Sequence, residues 1–168
     1  MRKIVLYIAA SLDGFIARKN GGIDWLFSDA DYGYKQFYKS IDTVLVGNKT
    51  YKQSLGFEEA PFKGKQVFVF AHKPGKPFPG VQFVKNPVEL VQKMKKLPGK
   101  GIWLCGGSQT ISVLLNAGLC DEIILSIHPI ILGSGIPLFD VQTEIDLKFV
   151  KSKSFPSGLV QLHYLVKK

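Results

Sequence analysis

The chain has 168 residues, 46% apolar, 12% aromatic and 21% charged, and its 22 Lys+Arg against 13 Asp+Glu give a net charge of +9. This composition excludes disordered, collagenous and coiled-coil proteins, and predicts one globular domain over 1–168 that buries roughly two-thirds of its unfolded surface. The two cysteines, Cys105 and Cys120, both in apolar runs, exclude a disulfide framework and offer no metal cluster, so a reducing, cytoplasmic setting without a metal is expected.

Lys3 to Ala10 is a nearly continuous apolar run, the pattern of a central strand covered on both faces. Ser11-Leu12-Asp13-Gly14 ends it too early for a membrane span and without a signal-peptide cleavage pattern, so no membrane association or targeting is expected. Ser11 to Leu26 reads as loop, broken by Phe15-Ile16-Ala17. From Asp29 or Asp31 to Ser40, the spacing of Tyr34, Phe37, Tyr38 and Ile41 predicts a helix capped by those aspartates. Thr43 to Val46 is a short strand, and Gly47 or Asn48 opens a brief helix. Gln66 to Ala71 and Val81 to Val84 are strands on either side of a proline-rich stretch, Pro74 to Pro79.

Asn86-Pro87-Val88-Glu89 marks a helix start, with Asn86 as cap, Pro87 at the first helical position and Glu89 completing a capping box. Leu90, Val91, Met94 and Leu97 form its apolar face. Its end carries the densest basic cluster, Lys93, Lys95, Lys96 and Lys100, where the helix dipole favours cations. Ile102 to Cys105 is a strand, Gly106-Gly107-Ser108 a turn, and Gln109 to Ala117 a helix stopped by Gly118. Glu122 to Ile127 is a strand and Pro129 to Phe139 is irregular. Asp146 to Phe155 and Leu159 to Lys167 form a closing hairpin around Pro156-Ser157-Gly158. The element order predicts an α/β fold with a mostly parallel central sheet, flanking helices and an antiparallel edge.

Three strand ends carry glycine or hydroxyl residues: Ala10 to Gly14, Val46 to Tyr51 and Cys105 to Thr110. In open α/β sheets such ends hold ligands. Gly106 and Gly107 allow close backbone approach, and the following helix start, with Ser108 and Gln109, offers N–H groups to a diphosphate; a tight turn with a cap explains the same residues. Lys49 and Thr50 suit a phosphate or a capped helix with a solvated lysine. His72-Lys73 suits a 2'-phosphate or is surface charge. GxGxxG and P-loop fingerprints are absent. Around the first loop, Asp24 beside Trp25 is a better site candidate than Asp29 or Asp31, which read as helix caps. Trp25 reads equally as a plug over the core. Metal-binding and nucleophile-elbow spacings are absent for His72, His128 and His163, although His128-Pro129 ends a strand near the expected pocket.

Four of these segments, in order, resemble the dihydrofolate reductase-like superfamily. They are Ile8 to Ala17 (IAASLDGFIA), Val46 to Tyr51 (VGNKTY), Leu104 to Ser108 (LCGGS) and His128 to Phe139 (HPIILGSGIPLF). Within it the chain is most similar to the C-terminal reductase domain of bifunctional riboflavin-biosynthesis deaminase/reductase proteins, here expected in stand-alone form. The resemblance implies a dihydrofolate reductase-like three-layer sandwich with a C-terminal antiparallel hairpin, NADPH as cofactor, and a homodimer, which the apolar segment Ile123 to Phe139 also suits. It implies NADPH contacts from Ala10, Ile16, Gly47, Lys49, Thr50, His72, Lys73, Gly106, Gly107, Ser108 and Gln109, and active-site roles for Asp13, Asp24 and Trp25. Dihydrofolate reductases place a pterin-binding acid five residues after the loop tryptophan; here that step lands on Ala30, between Asp29 and Asp31, which argues against folate. The expected partner is a small-molecule substrate, a ribosylamino-pyrimidine phosphate or a pterin-like metabolite. A dihydrofolate reductase or a reductase of unassigned substrate is the alternative within the superfamily, and a non-catalytic nucleotide-binding protein is the alternative of another class. Charge alone points to nucleic acid, and no accompanying module supports it.

Overall fold

The structure, a computed structural model, describes residues 1–57, 61–73 and 79–168. Among these the chain runs β1 (Ile4–Ser11), β2 (Phe15–Ala17), α1 (Tyr34–Ser40), β3 (Ile41–Gly47), α2 (Asn48–Ser54), β4 (Gln66–Phe70), β5 (Val81–Val84), α3 (Pro87–Lys96), β6 (Gly101–Gly106), α4 (Ser108–Asn116), β7 (Glu122–His128), β8 (Ile136–Pro137), β9 (Leu147–Ser154) and β10 (Val160–Val166). Eight strands form one sheet in the order β5-β4-β3-β6-β1-β7-β10-β9. It is parallel from β5 to β7, and the β9–β10 hairpin adds antiparallel to β7. β2 and β8 pair separately.

The strand period of two divides the apolar runs between two cores. Ile4 and Leu6 of β1, with Ile102 and Leu104 of β6, join Val91 and Met94 of α3 and Ile111, Leu114 and Leu115 of α4. Val5 and Trp103, on the opposite face, join Phe37 of α1, Val44 and Val46 of β3 and Tyr51 of α2. Both faces are covered by helices, giving three layers, and each fully buried Leu or Ile contributes about 1.5–3 kcal/mol. The central strands therefore read as continuous apolar runs.

Helix α3 starts as its sequence predicts: Asn86 Oδ1 accepts the Glu89 N–H at 3.3 Å. The capping box is only half made, because Glu89 pairs with Lys93 at 2.7 Å. Leu97, expected on the buried face, is 57% exposed, beyond the last helical turn. Lys95, counted with the surface cluster, is buried, and its ammonium meets Asp121 at 2.5 Å and the Leu119 carbonyl at 3.1 Å. Helix α1 begins later than expected, because Tyr32 and Gly33 both adopt left-handed backbone (φ 49° and 86°). Asp31 still accepts the Lys35 N–H at 3.0 Å, while Asp29 accepts from the Tyr32 hydroxyl. Residues 74–78 of the proline-rich stretch lie outside the described residues.

Candidate active site

The parallel strands deliver their C-terminal ends to one edge of the sheet. There Val46 of β3 pairs with Gly106 of β6, and Ser11 of β1 with His128 of β7. The glycines bring the starts of α2 and α4 together. A Cβ on Gly47 would lie 3.0 Å from Thr110 Oγ1 and 3.3 Å from the Gly107 nitrogen, and one on Gly107 would lie 3.0 Å from Thr50 Oγ1. The Gly106–Gly107 peptide is cis. Neither helix has a side-chain cap or an acidic residue in its first turn, so the first N–H groups of the longer α4 are free to meet an anion. Exposed Lys49 stands in the first turn of α2, where a cation opposes the helix dipole unless an anion sits between them. His72 and Lys73, both exposed, follow β4 on the same edge. Ser108 and Gln109 open α4, Ile16 packs against the first core, and Ala10 is buried within it at 1% exposure.

A hollow of about 480 Å³ adjoins this edge. It is lined by Tyr7, Ile8 and Ala9 of β1, by Leu26, Phe27, Ala30, Asp31, Tyr32 and Tyr34 on the way into α1, by Trp103 of β6, Ser126 and His128 of β7, and by Leu159 ahead of β10. Its walls are aromatic: Tyr7 stacks on Phe37 at 4.2 Å, and Tyr34 meets Trp103 edge-on at 5.9 Å. Polar groups are few and ordered. Gln161 Nε2 donates to Ser126 Oγ at 3.1 Å and to the Tyr32 carbonyl at 3.3 Å, and the Tyr7 hydroxyl donates to that same carbonyl at 3.2 Å. Burial raises the Tyr7 phenol above its ordinary value, partly opposed by Gln161, so it stays a neutral donor. Asp31 reaches the hollow; Asp13 and Asp24 are not among its lining residues.

The acids named from sequence have other partners. Asp13 accepts from Ser11 Oγ at 2.6 Å and from the Leu132 and Gly133 amides at 3.0 and 2.7 Å. These bonds clamp the first loop to the segment before β8, and the Ser11 hydroxyl, helped by the two amides, holds the carboxyl below its usual range. Asp24 forms a two-pronged pair with Arg18 at 2.7 and 2.8 Å, which lowers it likewise. Trp25 is buried, its ring 5.3 Å from His128 and edge-on to it. Sequence reasoning missed Tyr7 and Ser126, and read Asp31 only as a cap. For Tyr7 and Ser126 the one available signal was that each interrupts an apolar strand that ends on this edge, and Asp31 carried none.

Other groups lie outside this chemistry. Burial pushes both the Cys105 and Cys120 thiols up to about 12, so neither is a thiolate nucleophile at neutral pH. Among the described residues no cluster suits a metal ion, and no helix is long and apolar enough to cross a membrane. A second hollow, about 310 Å³, lies at the opposite end of the sheet around Arg2, Lys95, Asp121 and Glu122. Its charges are taken up in internal pairs such as Lys95–Asp121.

Comparison with known proteins adds to this geometry. The family model of the RibD C-terminal domain matches residues 58–161. The uncharacterized Bacillus subtilis protein YyaP is 43% identical, over 97% of this chain and 94% of its own. A Shewanella sp. PV-4 structure, provisionally named as a riboflavin biosynthesis protein, superposes with a TM-score of 0.86 at 29% identity over the whole of both chains. The Thermotoga maritima diaminohydroxyphosphoribosylaminopyrimidine deaminase/5-amino-6-(5-phosphoribosylamino)uracil reductase shares the fold at a TM-score of 0.75 and 19% identity, over 99% of this chain and 57% of that one. Enterococcus faecalis dihydrofolate reductase, solved with NADP(H), shares it at 0.74 and 16% identity, over 99% of this chain and 97% of that one.

Proposed function

The chain belongs to the RibD C-terminal domain family, the reductases of the riboflavin pathway type, and from that premise we propose that it is an NADPH-dependent reductase of a ribosylamino-pyrimidine phosphate. The observation that carries the proposal is the glycine-lined meeting of the α2 and α4 starts beside an aromatic hollow on the same sheet edge. The close approach of the two helix starts that Gly47 and Gly107 allow, and the absence of capping side chains, fit a dinucleotide's diphosphate. Gly106, Gly107, Ser108 and Gln109 would hold it, with Gly47, Lys49 and Thr50 beside them. His72 and Lys73 would face a 2'-phosphate, and Ala10 and Ile16 would back the nicotinamide end. When bound, NADPH supplies a hydride.

The chain's own residues position and shield the substrate. Tyr7, Tyr34 and Trp103 offer faces for a heteroaromatic ring and exclude water. Asp31 lines the hollow one residue after Ala30, and in this reading it takes the place of the missing acid, accepting a ring N–H. Asp13 and Asp24 contribute by fixing the loop that carries Trp25. Asp31→Asn is expected to lower kcat/KM by about 10²-fold, the scale of one positioned proton-handling group, while leaving the NADPH Kd unchanged. NADPH oxidation in the presence of 5-amino-6-(5-phosphoribosylamino)uracil is the assay. Full activity of the variant would remove Asp31 from the site, and inactivity of the wild type on this substrate would remove the substrate assignment.

A cytoplasmic homodimer is part of the same proposal. Ile131, Phe149 and Val150 leave 70%, 55% and 43% of their surfaces exposed, apolar area that a second copy of the chain would cover. Sedimentation at micromolar concentration is expected to give twice the chain mass, and a single-chain mass would refute the dimer.

A further inference from the structure

Tyr32 lines the hollow with its backbone in the left-handed region, at φ 49°. Gly33 follows at φ 86°, and the Tyr34 N–H donates to the Asp31 carbonyl at 2.9 Å. Asp31 to Tyr34 is therefore a tight turn with positive φ at both central residues, the type I′ pattern that asparagine, aspartate or glycine ordinarily fills. Gly33 suits it, and a tyrosine at position 32 does not. Such strain persists only where the surroundings impose it, and here several elements do. From β1 the Tyr7 hydroxyl donates to the Tyr32 carbonyl at 3.2 Å, and from β10 Gln161 Nε2 donates to the same oxygen at 3.3 Å. In the connection between β9 and β10, Ser157 Oγ hydrogen-bonds the Tyr32 hydroxyl at 2.9 Å and Phe155 meets its ring edge-on at 4.9 Å. Asp29 Oδ1 holds the same hydroxyl at 2.7 Å.

Resting on the reading of Asp31 as the acid that meets the substrate, we propose that Tyr32 is the positioning residue that holds it at the hollow. The bonds to its carbonyl and to its hydroxyl fix residue 32 at both ends, and the turn it is forced into has Asp31 as its first residue. The Asp31 carboxylate is thereby set: Oδ1 accepts the Lys35 N–H at 3.0 Å across the turn, and the residue lines the hollow. With residue 32 in the right-handed region the turn loses its shape, and the carboxylate loses its register on the start of α1. The closing hairpin therefore acts on the substrate at a distance. Of its residues only Leu159 lines the hollow, while Gln161 and Ser157 reach the acid through Tyr32.

The test compares Tyr32→Ala with Tyr32→Gly, each alone and combined with Asp31→Asn. Both substitutions remove the ring and its hydroxyl, but glycine adopts the left-handed backbone freely and alanine does not. A residue that only packs would give the opposite order, because glycine loosens the unfolded chain further. Thermal melting confirms that each variant folds, and the NADPH Kd is measured on the same samples. For NADPH oxidation with 5-amino-6-(5-phosphoribosylamino)uracil, kcat/KM is expected to fall about tenfold in Tyr32→Ala, the scale of one strained backbone position. In Tyr32→Gly it should fall by no more than about threefold, with NADPH affinity unchanged in both. Beside Asp31→Asn, the Ala substitution should cost less than about twofold more, since its effect runs through the acid. Hydrogen exchange of the Lys35 amide reads the same turn without substrate, because a first-turn N–H has no partner within its own helix. Its protection should be lost in Tyr32→Ala and kept in Tyr32→Gly. The proposal is overturned if the Gly variant falls as far as the Ala variant, or if Lys35 stays protected in Tyr32→Ala. It is also overturned if the Ala loss persists beside Asp31→Asn, as direct contact of Tyr32 with the substrate would give. Full activity of Asp31→Asn would instead defeat the reading of Asp31 on which the proposal rests. If the wild type leaves this substrate untouched, the substrate assignment falls, and the order of Lys35 protection still decides whether Tyr32 sets the turn.

Discussion

Asp121→Ala is expected to lower the unfolding free energy by about 3 kcal/mol, at the lower end of what stranding one member of a buried ion pair costs. The Asp121 carboxylate meets Lys95 at 2.5 Å and Lys168 at 2.7 Å and accepts the Ile4 N–H at 2.9 Å. Lys95 keeps only 8% of its side chain exposed and Asp121 17%. Removal of the carboxylate strands the Lys95 ammonium and opens the first ladder position of the central strand. Lys168 is 56% exposed, so its share is that of a surface pair and small. Against a total of about 5–15 kcal/mol such a loss is large, and urea unfolding measures it.

The same carboxylate fixes the sign of an acid effect. Burial works against its charge, but Lys168, Lys95 and the Ile4 amide outweigh that cost and hold it below the ordinary value of 3.8. Asp42, buried in part but bonded to the Lys100 amide, Thr43 and Arg2, is lowered too. A depressed carboxylate adds stability that is fully present above the unfolded-state value and is lost as pH falls through the folded one. Stability is therefore expected to hold down to the ordinary carboxylate range and to fall below it. Asp121→Asn should flatten that fall, and an unchanged acid limb would show that the ion pair contributes nothing.

Gly47→Val is expected to weaken NADPH binding by at least about 100-fold, roughly 2.7 kcal/mol. The backbone at Gly47 is extended (φ −73°, ψ 149°), a conformation open to any residue, so the glycine is there for space. Its missing Cβ would press on Thr110 Oγ1 at 3.0 Å and on the Gly107 nitrogen at 3.3 Å. A hydroxyl can turn away, but a backbone nitrogen held by a strand end and a helix start cannot, and a branched side chain would push the two helix starts apart. Fluorescence titration gives the affinity, and a parallel melting curve separates lost binding from lost fold. Near-native affinity in a folded variant would move the cofactor elsewhere.

The sheet was legible because its central strands are buried on both faces and so spell continuous apolar runs. Helix α3 was legible because Asn86-Pro87 is a local signal that needs no distant partner. Lys95 was not, because nothing in its helix announces that Asp121 will lie opposite it, and a lysine after Lys93 looks like surface. The start of α1 was hidden by the left-handed backbone at Tyr32, a conformation a tyrosine rarely adopts. Along the chain Asp13 and Asp24 look the better site acids and Asp31 looks like a helix cap. Only the fold shows that the first two carboxylates are spent on the Leu132–Gly133 amides and on Arg18, while Asp31 lines the hollow.

The most direct test of the central claim is titration of the purified chain with NADPH and, separately, NADH, following nicotinamide fluorescence and the quenching of Trp25 and Trp103. The reductase reading predicts saturable binding with a clear preference for NADPH that falls when Lys73 is replaced by Ala. Absence of binding by either dinucleotide at millimolar concentration would contradict it and leave the fold serving a use without a nicotinamide cofactor.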